Sequence, residues 1–484
     1  MKSVIVLGAG YAGCTAAALL AAEGADVTVL ERHNTLGGCA SFFKEGKFLF
    51  DVGATTISGL RKDQPAGRVF HHLGIQPNVI HQDPGMIVRM HHADVYRWAN
   101  EERWIEEAER CFGGNQRKFW KAQNRRAHRV WKLVGATSRI PPRSVADVMH
   151  ALRNGALSWL PLLPGLVRSV ESTMPSAERN NAVFREFLNE QLLISAQNTA
   201  EFAPSITGAL GLTYPAETYY PIGGMVQPAL QLMRKAQQSG AEFRFRRVAT
   251  TIRQNGNGWQ VICANGEIFT ADCVVSSVPI WNMASLTQGS VQRYMQKLSK
   301  RNSSAWCAFT VYFALQGRPQ LPSAYMQVFL DEEIPFVHSG SLFLTVSQPQ
   351  DTQKAPSGYC TVTVSTHTVA DDWLNCSVEE QVRRKQRVTQ AIMDTIERRV
   401  PEFAGMERVH IESGTPATWQ KYTGRYHGFV GGIPHSIRKP LLFLPPNQTP
   451  FRGLYMIGDS VFPGQGTPAV MLGAWNTVDR IFAQ

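Results

Sequence analysis

No run in the 484-residue sequence reaches the roughly 18 apolar residues that a membrane-spanning helix needs. The eight cysteines (14, 39, 111, 263, 273, 307, 360 and 376) form no CxxC pair and do not cluster with histidine. That argues against structural zinc and against a disulfide framework, and suits a reducing, cytoplasmic compartment. There is no internal repeat and no low-complexity tract. Charged residues make up 18% against 44% hydrophobic, so the chain reads as a folded globule rather than a disordered tail. A Ser/His/Asp triad, a metal-ligand set and paired carboxylates are also missing, so neither hydrolytic nor metal chemistry is expected.

What is present begins at Val4. Val4-Ile-Val-Leu7 is a short, β-branched apolar run that reads as a buried parallel strand, and Gly8, Gly10 and Gly13 follow at GxGxxG spacing. Gly8 makes the tight turn, Gly10 lets backbone approach a pyrophosphate, and Gly13 lets helix and strand pack closely. Tyr11 and Ala12 lie inside this turn, and the phosphates sit where the next helix starts, at its unpaired N–H groups. A second strand, Asp26–Leu30, ends in Glu31, placed to accept hydrogen bonds from a ribose diol. Met1-Lys2 and the apolar residues after them mimic a signal peptide. The glycines and Tyr11 break that run, and no cleavage-like site precedes Glu31.

Further stations follow. Gly37-Gly38, with Ser41 just beyond, lets backbone pass close to a ligand, and Tyr219–Met225 is a second glycine-rich turn that opens a helix. Residues 79–104 read as strands with a turn at 99–102, residues 105–200 as helices, and Glu242–Val248 as a strand. Asn265-Gly266 marks a hairpin, residues 306–366 are mostly strands, and Val378–Val400 is one long amphipathic helix. Near the end, Gly453–Ile457 is a strand closed by Gly458-Asp459, and a glycine-bearing loop through Gly466 leads to a helix opening at Pro468, Ala469 and Val470.

In this order GAGYAG, Glu31, Gly37-Gly38, YYPIGGM and GDSVFPGQGTPAV resemble the FAD-dependent amine oxidase and phytoene desaturase superfamily along nearly the whole chain. HNTLGGCASFF, FDVGATTISGL and YTGRYHGFVGGIPHS are most similar to bacterial carotenoid desaturases and isomerases, above all the C-3',4' desaturases. The resemblance implies FAD as cofactor, with Val248 offering backbone to the adenine and Asp459 holding the ribityl chain. Backbone at Pro468–Val470 faces the pyrimidine edge of the flavin. Many members carry Arg after the paired glycines; here Cys39 stands there, as in the carotenoid branch.

The resemblance implies an α/β fold, with a Rossmann-like FAD-binding domain interleaved with a substrate domain of mixed sheet plus a helical cap. The FAD-binding part takes 1–65, 215–285 and 445–484, the substrate sheet 66–104 and 286–444, and the cap 105–214. A polyene substrate offers no heteroatom to polarise. After hydride loss it leaves a delocalised cation that needs only a weak base, for which His427, Glu217 and Tyr426 are candidates in that order. Trp419, Tyr422 and Phe429 are candidates to line the tunnel. A carotenoid desaturase is the first reading, with oxygen or a quinone as electron acceptor, and a redox-neutral cis–trans isomerase is the alternative. A flavin-bearing carrier is the third, disfavoured because both cofactor ends are retained.

The formal charge of +11 is uneven: residues 103–180 carry 14 Lys and Arg against 6 Asp and Glu. Nucleic acid and an anionic membrane are the two partner classes for such a patch. A lipid-soluble substrate selects the membrane, and no nucleic-acid partner is expected. Lys118, Lys121, Arg125, Arg129 and Lys132 step along one helix face, with Trp120, Ala127, Trp131 and Val134 opposite. Together with the Leu/Trp/Pro-rich run 157–167, this predicts a peripheral membrane anchor within 105–170.

Overall fold

A computed structural model of the chain describes residues 1–114, 116–136, 139–142, 144–154 and 156–483. Its first sheet has five parallel strands in the order Leu454–Met456, Cys273–Ser276, Ser3–Leu7, Asp26–Leu30, Glu242–Arg244. The inner strands are apolar on both faces, as a sheet covered on both sides requires. Helices Tyr11–Ala22, Val226–Gln238 and Thr467–Phe482 pack with this sheet, and the alanines of the first let it sit close. The antiparallel strands Ala249–Asn255, Gly258–Cys263 and Ile268–Ala271 contribute a second apolar cluster, with Gly266 at φ +86° in the hairpin turn. The strand expected over Glu242–Val248 stops at Arg244. Arg246 turns to φ +57°, and the Arg246 and Arg247 N–H groups donate to the His33 and Glu31 carbonyls at 2.9 and 2.8 Å.

The second sheet has seven strands, ordered Arg408–Gly414, Cys307–Gln316, Tyr359–Thr368, Ser341–Val346, Tyr325–Phe329, Ile87–Arg89, Asp94–Tyr96. It is antiparallel except where Tyr325–Phe329 runs parallel to Ile87–Arg89. Period-two alternation divides its faces. Phe309, Val311 and Phe313 join a core with Val388, Ile392 and Ile396 of the helix Val378–Arg399, while Ala308, Thr310 and Tyr312 line a cavity.

Helices Glu101–Phe112, Gln116–Ala136, Val145–Arg153, Ala182–Ala196 and Ser205–Thr213 fill out the third part. The turn expected at 99–102 is instead a helix start: Asn100 Oδ1 caps it by accepting the Arg103 N–H at 3.0 Å, with Glu101 and Glu102 in the first turn. In helix 116–136 the basic face is on the surface, although Lys121 is half-buried and paired with Glu102 at 2.9 Å. The opposite face lies inside the protein. Trp120 is fully buried against Trp104, ring centroids 4.8 Å apart, and Ala127 is also buried. This helix therefore has little apolar face left for lipid. Exposed apolar side chains lie next to it in the chain, at Val145, Val148, Met149, Leu152, Leu160, Leu163 and Val167, with Val145 78% exposed. The two prolines at 161 and 164 hold that second stretch in a 3-10 run, Ala156–Leu166; the side chains of Leu157 and Ser158 lie outside the described residues.

Candidate functional site

Register brings the first motif together. Leu7 pairs with Leu30, so Gly8 and Glu31 leave the sheet side by side. The Gly8 N–H donates to the Leu30 carbonyl at 2.9 Å. One carboxylate oxygen of Glu31 accepts the Ala9 N–H at 2.7 Å and the other the His33 N–H at 2.8 Å. Each oxygen keeps lone pairs for a further donor. Gly8 adopts φ +91°, closed to most side chains, and a Cβ on Gly13 would fall 1.9 Å from the Gly8 carbonyl. Gly10 differs: a Cβ there would find no atom nearer than 3.9 Å, so its backbone borders open space. Helix 11–22 starts at Gly10 without a side-chain cap, which leaves its first N–H groups for a ligand. Gly37, at φ +111°, closes the other side by donating its N–H to the Ala9 carbonyl at 2.9 Å.

The last helix, 467–482, starts at Gly466, again without a side-chain cap. Just before its loop, Asp459 meets Arg425 Nη2 at 2.7 Å, both side chains largely buried. Cys39 also touches this guanidinium. Burial works to lower the Arg425 pKa, but the Asp459 carboxylate and Cys39 outweigh it and hold the group well above the usual arginine range. Burial likewise raises the Cys39 thiol, partly offset by Arg425. A guanidinium from residue 425 thus stands beside the position where the paired glycines are followed by cysteine.

Both starts open on one cavity of about 1340 Å³. It is lined by Gly8, Gly10, Tyr11, Ala12, Glu31, Gly37, Gly38, Ser41 and Val248, and by Gly458, Asp459, Gly466, Pro468, Ala469 and Val470. Gly13 is behind the wall, in the helix–strand contact. The Val248 carbonyl is taken by the Ala264 N–H at 2.8 Å. The cavity continues past Val130, Trp131, Val134, Leu193, Leu210 and Phe343.

None of the three proposed bases lines this cavity, which corrects the expectation. Glu217 turns to Arg61, 3.0 Å away, and accepts from the Tyr219 hydroxyl at 3.4 Å. His427, at φ +53°, stacks on the exposed Tyr426 with ring centroids 3.9 Å apart. Trp419 and Tyr422 do line the cavity, whereas Phe429 packs against Trp281 in the core. Among the titratable groups in the wall that sequence reasoning missed are Glu190, His367, Arg425 and His435. Glu190, its pKa raised by burial, accepts from the Ser341 hydroxyl at 2.5 Å and the Gly340 N–H at 2.9 Å.

A nucleotide-turn sheet, a strand-end carboxylate and two uncapped helix starts on one cavity define a dinucleotide-binding oxidoreductase fold, and this donor set fits FAD. The FAD dependent oxidoreductase (DAO) family model matches residues 3–409, and the chain belongs to that family. FAD is its cofactor, and the protein is an enzyme. It is similar to a chloroplastic prolycopene isomerase of Daucus carota, 26% identical over 507 residues, covering 99% of this chain and 80% of that one. A 1-hydroxycarotenoid 3,4-desaturase of Flavobacterium sp. is 23% identical over 510 residues, covering 99% of each chain. Among solved structures, a putrescine oxidase bound to putrescine shares the fold at a TM-score of 0.65 and 14% identity, covering 100% of this chain and 99% of that one. Among the described residues no helix is long and apolar enough to cross a membrane, and no group of metal-ligating side chains occurs.

Proposed function

We propose that this enzyme desaturates a carbon–carbon bond of a carotenoid. The observation that carries this reading is the cavity itself. Its 1340 Å³ exceeds the roughly 300–1,000 Å³ of a pocket for one small ligand, and its wall as a whole is mostly apolar. Its relatives named for carotenoids lend the substrate class.

In this reading Glu31 accepts the adenosine ribose hydroxyls and Val248 borders the adenine. The Gly10 and Gly37-Gly38 backbone, with the start of helix 11–22, receives the pyrophosphate. Asp459, held by Arg425, orients the ribityl chain, and the first turn of helix 467–482 faces the pyrimidine edge. The bound flavin supplies a hydride acceptor at N5. Val130, Trp131 and Val134, opposite Leu210, orient the polyene and exclude water.

The enzyme works at a membrane surface. Its contact face is the exposed apolar set on helix 145–153 and the following 3-10 run, flanked by the exposed Arg153 and Arg168. The basic face of helix 116–136 adds attraction for anionic headgroups, and Val130 of that helix joins Leu162 and Ile206 in a small core beside the cavity. A lipid-dissolved polyene enters there, and oxygen or a quinone reoxidises the flavin.

A second reading, redox-neutral cis–trans isomerisation, is favoured by the relatives at 24–26% identity that are named prolycopene isomerases. Anaerobic incubation of the holoenzyme with a set of carotenoids separates the two. Flavin bleaching in step with a red-shifted product is the desaturase result. An isomer formed without net bleaching overturns it, as does bleaching by amines alone.

A further inference from the structure

Loss of hydride from one carbon of a polyene yields a double bond only when the neighbouring carbon also gives up a proton. The cavity wall offers few buried acceptors: Glu45 and Glu412 in its lining are exposed, and His33 meets the Tyr422 carbonyl. Glu31 and Asp459 belong to the cofactor end, Glu190 is engaged by Ser341 and Gly340, and the Tyr312 hydroxyl donates to the Val52 carbonyl at 2.5 Å. His367 stands edge-on to Trp306 on the second sheet, ring centroids 5.5 Å apart.

His435 is built differently. Its residue is 8% exposed and it lines the cavity; neither ring nitrogen makes a hydrogen bond of good geometry, and the one backbone group that acts on the ring is the Pro463 carbonyl. Its backbone is pinned at both ends: its N–H donates to the Ala196 carbonyl at 3.0 Å, and its carbonyl accepts from Asn198 Nδ2 at 3.1 Å. The ring packs on Gly464, where a Cβ would meet Nε2 at 2.3 Å, so only glycine leaves room for it. Gly464 lies in the loop that runs into helix 467–482. Another buried polar atom on this wall without a partner is Gln197 Oε1, on a side chain whose Nε2 donates to the Val430 carbonyl at 3.2 Å. A hydrocarbon chain satisfies neither nitrogen of an imidazole, so a ring with only a backbone carbonyl to take its N–H keeps its other nitrogen's lone pair for an arriving proton.

We propose that His435 is the proton acceptor of the desaturation. This rests on the desaturase reading above. As the polyene loses a hydride, with its electron pair, to FAD, the adjacent carbon loses a proton to the free lone pair of His435. The electrons of that C–H bond become the new C=C, and the imidazolium later releases the proton to water while the external acceptor reoxidises the flavin. Burial pushes the ring down to about 4, against a smaller upward pull from the Pro463 carbonyl, so it stands neutral and ready at physiological pH. A base this weak is sufficient, because a polyenyl cation is a strong acid.

The test uses the full-length FAD-loaded enzyme and a carotenoid that bleaches the parent anaerobically. His435→Leu and His435→Gln are compared with it, the second keeping polarity and volume without a base. Flavin content after denaturation and the absorption shift of bound polyene report folding and binding, and both are expected to match the parent. Net bleaching is expected to fall by roughly 10²–10⁴-fold in both variants, because a cation without a proton acceptor takes its hydride back. Added imidazole is expected to restore part of the rate to His435→Ala and to leave the parent unchanged. Bleaching by both variants at the parent's rate overturns the assignment alone, as does loss of the rate in His367→Leu with retention in His435→Leu. A parent that isomerises polyenes without net bleaching overturns the desaturase reading and the assignment together.

Discussion

The two ends of the cavity are made of different materials. At the nucleotide end the wall is largely backbone: Gly8 at φ +91°, Gly10 open to the cavity, Gly37 bonded across to Ala9, and two helix starts without caps. Fixed charge there comes from Glu31, Arg32, Arg247 and the Asp459–Arg425 pair. At the other end the wall is side chain, with Val, Trp and Leu from helices facing Phe343 and a row of Ser, Thr and His from the second sheet. A polar, charged ligand is gripped by dipoles that cannot move aside. An apolar one is held by shape, and a polar neighbour that the wall itself does not engage is free for chemistry.

Substitutions at the two ends should therefore fail in different ways. The largest effect is expected for Arg425→Ala, which strands the Asp459 carboxylate in a largely buried site. Removing one partner of such a pair costs about 3–5 kcal/mol, read as a lowered melting temperature and loss of flavin on gel filtration. Arg425→Lys keeps the charge but loses the fork and should fall between. Gly13→Val follows. Its Cβ meets the Gly8 carbonyl at 1.9 Å, and backbone cannot swing away. A cost at the upper end of the roughly 1–3 kcal/mol of overpacking is expected, with little bound FAD after purification.

Glu31→Gln is next. It sets an amide N–H2 against one of two backbone N–H donors. FAD should bind about tenfold more weakly, or about 1.4 kcal/mol, measured by reconstitution of the apoprotein. Leu210→Trp sharpens the contrast from the other side: flavin content should stay at the parent's level while polyene binding is lost. If it removed FAD as well, the two ends would not be separate.

Single changes on the membrane face should be smallest. Vesicle co-sedimentation should weaken by roughly 1 kcal/mol for each basic residue removed from Lys118, Arg125, Arg129 and Lys132. Val145→Asn and Met149→Asn should also weaken it, in a manner that salt does not mimic. Salt dependence alone, with no response to the apolar changes, would place the contact on helix 116–136.

The same contrast decides what could be read from the chain. The nucleotide end was legible because its parts are local: three glycines at fixed spacing after an apolar strand, and an acidic residue at the end of the next. Most strands of both sheets were legible from period and turn residues, but the edge strand Arg408–Gly414 was not read, and neither was the helix start at Asn100, where a capping residue followed by two glutamates was passed over. The apolar stripe of helix 116–136 was found, but its destination was not, since a core-facing stripe and a lipid-facing one have the same period. The bases were misplaced for a related reason. His427 and His435 both stand in polar loop sequence, and only the packing of residues 196, 198 and 464 around the second turns it inward. Arg425 was hidden similarly, because its meeting with Cys39 and Asp459 joins three distant segments.

The central claim is that one continuous cavity holds FAD and a polyene together. A crystal structure of the holoenzyme with a bound carotenoid tests it most directly. FAD should run from Glu31 to the first turn of helix 467–482, and the polyene should pass His435 and leave between Val130 and Leu210. A polyene bound outside this cavity, or a flavin ring away from the start of that helix, would contradict it.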